Sequence, residues 1–174
     1  PVEVLNLLAT IPSLRANGCE RGNLCVNPDR IFLWAHSNGG QIAISVLEIS
    51  RKQYPTVLWA PVTKGFPDSV LGYMKVMDDQ GLKVKTRIDK FLQEYEAENY
   101  SIDNYFENLQ APLQIHQGTG DEYIEEKWTD NFVERLKKIG KSVEYYKYSR
   151  ADHNLSGFAW QAAISRSLDF YNNF

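Results

Sequence analysis

Apolar positions along this chain follow two rhythms, and their alternation predicts the order of elements. Ile31-Phe32-Leu33-Trp34-Ala35 and Thr56-Val57-Leu58-Trp59-Ala60 are short unbroken apolar runs. Such runs fit strands buried on both faces of a parallel sheet. Between them, Gln41 to Arg51 places Ile42, Val46 and Ile49 at helical spacing. A strand, a helix and a strand in that order make a parallel crossover unit. Leu113-Gln114-Ile115-His116, introduced by Pro112, predicts a third strand, and Val143 to Tyr148 a fourth. The amphipathic stretch Glu125 to Ile139 lies between them and stops at Gly140, a favoured residue just past a helix end.

The flanks are helical too. Val4, Leu5, Leu7, Leu8 and Ile11 space a helix over Val2 to Leu14, which Pro12 should end or kink. Gly157 to Phe170 predicts a final helix. Ala16 to Arg30 reads as a loop, with Asn27-Pro28-Asp29 as a turn. Val62 to Gln110 shows no clear strand; helical pieces are expected around Val70 to Met77 and Val84 to Tyr95. This insertion either covers a site as a lid or packs on its rim. The expected fold class is therefore α/β, one domain with a largely parallel sheet.

Composition narrows the partners. The 174 residues suit one domain with a sizeable core, and 43% are hydrophobic. A formal net charge of −3 gives no electrostatic case for nucleic acid or an anionic membrane. The densest basic stretch, Arg135 to Lys141, alternates with apolar residues and reads as a solvated helix end. No apolar run approaches the ~20 residues of a membrane span. Pro1-Val2-Glu3 lacks the basic start of a signal peptide, so the compartment stays open between cytoplasmic and secreted. Cys19 and Cys25 lie in the loop and are either a disulfide or two free thiols. The three histidines, His36, His116 and His153, are remote from this pair, so no metal site is expected.

The chemistry lies at strand ends. Ala35-His36-Ser37-Asn38-Gly39-Gly40 puts a serine on a sharp turn between a strand and a helix. A nucleophile elbow does this, with His36, Gly39 and Gly40 around the exposed hydroxyl. The usual motif begins with glycine; alanine at position 35 is a small departure. Asp121 ends the third strand in Gly118-Thr119-Gly120-Asp121, and His153 follows the fourth in Ala151-Asp152-His153. A serine hydroxyl needs a histidine to take its proton and an acid to orient that histidine. Ser37, Asp121 and His153 supply these parts in that order. Glu122 is the rival acid and His116 the alternative base, although His116 lies inside a buried strand. Asp152 and His36 are expected to point elsewhere, His36 to the opposite side of its strand end. Tyr145, Tyr146, Tyr148, Phe158 and Trp160 either line an aromatic pocket or, by default, pack the sheet.

The elbow, the segment Ala111 to Asp121 and Ala151-Asp152-His153 resemble the catalytic half of an α/β-hydrolase of the prolyl oligopeptidase-like group. The resemblance covers nearly the whole chain. It implies a partial α/β-hydrolase catalytic domain over 1–174, with helices on both faces of the sheet and a helical insertion at about 62–110. It implies Ser37 as nucleophile, His153 as base, Asp121 as orienter and the Asn38 backbone N–H as an oxyanion donor. Gln117 stands where the group commonly has histidine. The group's strands before the first helix are absent here, and the loop that supplies its second oxyanion donor goes with them. A missing N-terminal segment or another subunit is therefore expected to complete the sheet and the oxyanion hole. The implied function is a serine hydrolase, peptidase or esterase, acting through an acyl-enzyme on a small peptide or ester, with no cofactor. The alternative is a non-catalytic module of the same fold.

Overall fold

A computed structural model describes residues 1–16, 27–74 and 77–174. The Cys19 and Cys25 expectation lies outside the described residues. Four strands form the sheet: β1 (Leu33–His36), β2 (Thr56–Trp59), β3 (Leu113–Gly118) and β4 (Val143–Tyr148). They run parallel in the order β1-β2-β3-β4. Leu33 pairs with Thr56, Thr56 with Leu113, and Leu113 with Val143. All four carboxyl ends therefore point to one rim.

Strand alternation sends successive side chains to opposite faces. Leu58, Leu113 and Ile115 enter a core with Ile44 and Leu47 of α2 (Asn38–Ser50) and Phe132, Val133 and Leu136 of α5 (Glu126–Lys138). Val57 and Trp59 face the other way, onto Ala159, Ala163 and Phe170 of α6 (Phe158–Asn172). Helices thus cover both faces, as in an α/β-hydrolase. Leu47 is fully buried; truncating such a leucine costs about 2–5 kcal/mol.

Three details differ from the sequence reading. The first helix, α1 (Val2–Ala16), runs through Pro12 instead of ending there. Its proline removes one N–H, while the Thr10 and Ser13 hydroxyls donate to the carbonyls of Leu7 and Thr10. The strand expected at Ile31 starts at Leu33, where the Leu33 N–H meets the Pro55 carbonyl. That strand is not buried on both faces, because Trp34 is 56% exposed. Among the described residues β1 pairs only with β2, so it is an edge. Between β2 and β3 the chain forms α3 (Asp68–Leu71), α4 (Leu82–Phe91) and three single turns at 97–108.

Candidate active site

Ser37 sits between β1 and α2 with φ 56° and ψ −125°, a conformation side chains rarely adopt. The sheet holds it there: its N–H donates to the Trp59 carbonyl at 3.0 Å, and its carbonyl accepts from Val62 and Gly40. Gly40 allows the close approach, since a Cβ there would meet the Pro61 Cβ at 2.5 Å. A Cβ at Gly39 would lie at an ordinary 3.8 Å from the Ala35 Cβ. The alanine in place of the motif's first glycine is therefore accommodated. Asn38 opens α2, so its N–H has no acceptor within the helix.

The structure brings Ser37, His153 and Asp121 together. His153 Nε2 lies 2.9 Å from Ser37 Oγ. His153 Nδ1 lies 3.0 and 2.9 Å from the two Asp121 oxygens. The Asp121 side chain is 1% exposed. Its Oδ1 accepts the N–H groups of Tyr123 and Ile124 at 2.9 and 2.8 Å. Burial alone would raise its pKa, but the bonds from His153, Ile124 and Tyr123 outweigh that and hold it below the usual carboxylate value.

The rival groups are engaged elsewhere. Glu122 accepts from the backbone N–H of His153, not from its ring. Asp152 accepts from the N–H groups of Asn154 and Ser156 in its own turn. His116 is fully buried, with Nδ1 at 2.7 Å from the Tyr148 hydroxyl and Nε2 at 2.8 Å from Gln114 Oε1. Burial, helped by the Arg166 charge, pushes its pKa down to about 3. It is a neutral core residue.

Two residues do more than the sequence suggested. His36, expected on the opposite side of its strand end, reaches the base: its Nε2 lies 3.0 Å from the His153 carbonyl, and the rings are 4.7 Å apart. Gln117 is fully buried and donates from Nε2 to Asp121 Oδ2 at 3.0 Å. Its Oε1 accepts from the Thr129 hydroxyl, and the acceptor-only carboxylate and Gly118 carbonyl at Nε2 fix the amide's orientation.

The aromatic pocket alternative is not what forms here. Tyr145 bonds Asp130, Tyr146 and Tyr148 lie beneath the Arg166 guanidinium, and Trp160 packs edge-on to Trp59. The aromatics at the site are Tyr73 and Tyr123, the latter edge-on to the His153 ring at 5.1 Å. With Val70 and Met77 they make a largely apolar cavity of about 530 Å³ above Ser37. Among the described residues no cluster of three His, Cys, Asp or Glu could hold a metal ion. No helix among them is long and apolar enough to cross a membrane.

Solved structures of similar shape share the fold. A puromycin-hydrolyzing peptidase of Mycobacterium tuberculosis superposes with a TM-score of 0.64 at 15% identity, over 95% of this chain and 24% of its own. Dipeptidyl peptidase 4 of Porphyromonas gingivalis gives 0.68 at 19%, over 97% of this chain and 22% of its own. An esterase of Pyrococcus furiosus gives 0.64 at 22%, over 98% of this chain and 61% of its own. The chain thus spans about a quarter of the length of the peptidases. No curated protein matches it by sequence. The sequence does match the prolyl oligopeptidase family over residues 19–174. The chain therefore belongs to the prolyl oligopeptidase family.

Proposed function

We propose that this chain is the catalytic part of a serine hydrolase acting on peptides or esters through an acyl-enzyme. Ser37 Oγ attacks the substrate carbonyl carbon while His153 Nε2 takes its proton. Asp121 holds the ring through Nδ1 and stabilises the imidazolium. The Asn38 N–H donates to the oxyanion. The tetrahedral intermediate collapses, the leaving group takes the proton from His153, and the acyl group stays on Ser37. Water, deprotonated by the same histidine, then releases the acid.

One observation carries this reading: the unbroken chain of hydrogen-bond distances from Ser37 Oγ through His153 to a buried, ionised Asp121. A non-catalytic module has no need to hold a serine in left-handed backbone against a histidine so oriented.

The second oxyanion donor comes, in this proposal, from a segment or subunit that also pairs with the outer edge of β1. The one-sided pairing of that strand and the exposed Trp34 support it. Losing one such donor costs about 10²–10³ in turnover.

The test is covalent labelling with a fluorophosphonate, read by intact mass, on the full-length protein and its Ser37→Ala variant. A single adduct that disappears in the variant is expected. A folded protein that takes no adduct would leave the non-catalytic module as the better reading. Side-by-side turnover of p-nitrophenyl esters and aminoacyl p-nitroanilides separates esterase from peptidase.

A further inference from the structure

Three cavities lie end to end along one side of α2. The first, above Ser37, is bounded by Asn38 and Gln41. The second, about 460 Å³, begins at Gln41 and continues past Ile42 and Ser45. The third, about 500 Å³, runs from Ser45 past Glu48 to Arg51. Neighbouring cavities share walls. Gln41, Ser69 and Val70 stand in both the first and the second, and Pro1, Ser45, Tyr100 and Ile102 in both the second and the third. From Asn38 to Arg51 the groove is about 20 Å long at the helical rise.

We infer that this groove receives the acyl portion of the substrate as an elongated apolar chain, with Glu48 marking its far limit. The inference rests on the acyl-enzyme reading above. The leaving group must lie beside His153, which protonates it, and His153 borders the first cavity alone among the three. The acyl portion is left to run the other way, along α2. Its path is largely apolar: the second cavity is faced by Ile42, Val70, Val84, Ile88 and Phe91, with Arg87 and Pro1 also on its wall. The outer wall is braced. Phe91 meets Phe66 and Tyr100 edge to face at 5.5 and 4.9 Å. The Gln41 amide, bonded to the Lys64 carbonyl at 3.1 Å, ties that wall to α2.

The far end is different. Glu48 is 5% exposed, and its Oε1 finds no hydrogen-bond partner among the described residues. The third cavity is also walled by Arg51, Asn99, Ser101 and Asn108, and an apolar chain end there would displace water from these polar groups with nothing in exchange, which is unfavourable. Chains that stop near Ser45 fit; longer ones meet Glu48.

The test compares p-nitrophenyl acetate, octanoate and palmitate on the full-length protein. Each buried methylene is worth roughly fourfold, so burial of even two of octanoate's extra methylenes should raise kcat/KM more than about tenfold over acetate. It should fall again at palmitate. Ile88→Trp, which fills the second cavity, should collapse the octanoate to acetate ratio, and Glu48→Leu should lift palmitate. Equal rates for acetate and octanoate, or a ratio untouched by Ile88→Trp, would overturn the inference and leave the Ser37 chemistry standing. If no ester is turned over and no Ser37-dependent fluorophosphonate adduct forms, the acyl-enzyme reading fails instead. The groove is then judged on the Ser37→Ala protein, which should bind octanoate saturably and about tenfold more weakly once Ile88→Trp is added. Absence of saturable binding there overturns the groove.

Discussion

The side-chain amide of Gln117 donates to Asp121 Oδ2 at 3.0 Å, on the oxygen that also faces His153 Nδ1. The amide cannot flip, because its nitrogen faces the Asp121 carboxylate and the Gly118 carbonyl, which only accept. Gln117 therefore positions the acid without touching substrate.

Removing that amide should weaken the site more than the fold. A hydrogen bond to a charged group is worth about 1.5–3 kcal/mol, so Gln117→Leu should slow Ser37 labelling roughly ten- to a hundredfold. The pH profile of labelling should shift as well, because Asp121 loses a donor that favours its charged form. An unchanged rate and profile would show that Gln117 only packs.

His36 makes a second such test. Its ring abuts His153 and its Nε2 meets the His153 carbonyl. His36→Ala frees that loop and should cost about 0.5–1.5 kcal/mol, a few-fold in labelling rate. His36→Asn, which retains a donor, should recover part of the loss. Equal rates for both variants would remove His36 from the site's support.

The elbow glycines should separate cleanly. Gly40→Ala drives a Cβ to 2.9 Å from the Pro61 backbone, and such overpacking costs roughly 1–3 kcal/mol. Gly39→Ala meets ordinary contact distance and should change stability by less than about 1 kcal/mol. Urea unfolding of the two variants measures the difference. Equal midpoints would contradict the close approach of β2's continuation to α2.

Two buried groups give opposing pH dependences. Burial, with the Asp103 charge adding to it, pushes the Glu48 pKa up from 4.5 to about 8. Between those values the native state holds a proton that the unfolded chain has lost, so stability falls as pH rises. His116 is pushed down from 6.5 to about 3. Between those values the unfolded chain is the more protonated, so stability falls as pH drops. Each slope is about 1.4 kcal/mol per pH unit. They oppose one another between 4.5 and 6.5, where the free energy of unfolding should be nearly flat. Below that window Asp121, held below its ordinary value, adds to the acid loss. Glu48→Gln should abolish the loss above the plateau and expose the histidine slope beneath it. Urea midpoints at several pH values measure both.

Much of this architecture was legible because its signals are local. The apolar runs before Ser37 and Pro61 mark β1 and β2, and the glycines after Ser37 and before Asp121 mark the turns. What stayed hidden depends on distant neighbours. Trp34 reads as a core residue, yet β1 is an edge, and a strand's own residues do not reveal whether a partner lies beyond it. Glu48 carries no signal in the spacing of Ile42, Val46 and Ile49; its burial depends on the turns at 97–108 that pack against α2. Tyr73 and Tyr123 carry no motif; they join the site because the insertion after β2 and the turn after β3 fold over the rim. Gln117 stands out by its position in β3, but its bond to Asp121 depends on how the following turn folds back. Pro12 predicted a helix end or a kink; one missing N–H did not end α1.

The parallel sheet has a consequence for how any reactive-serine assay should be read. Ser37 and His153 are 116 residues apart, and the register of all four strands fixes their 2.9 Å separation. By the proposed chemistry, a molecule with one strand frayed holds an ordinary, inert serine. The labelled fraction of a preparation would then count its correctly assembled sheets, so one reagent would titrate native protein among misfolded copies.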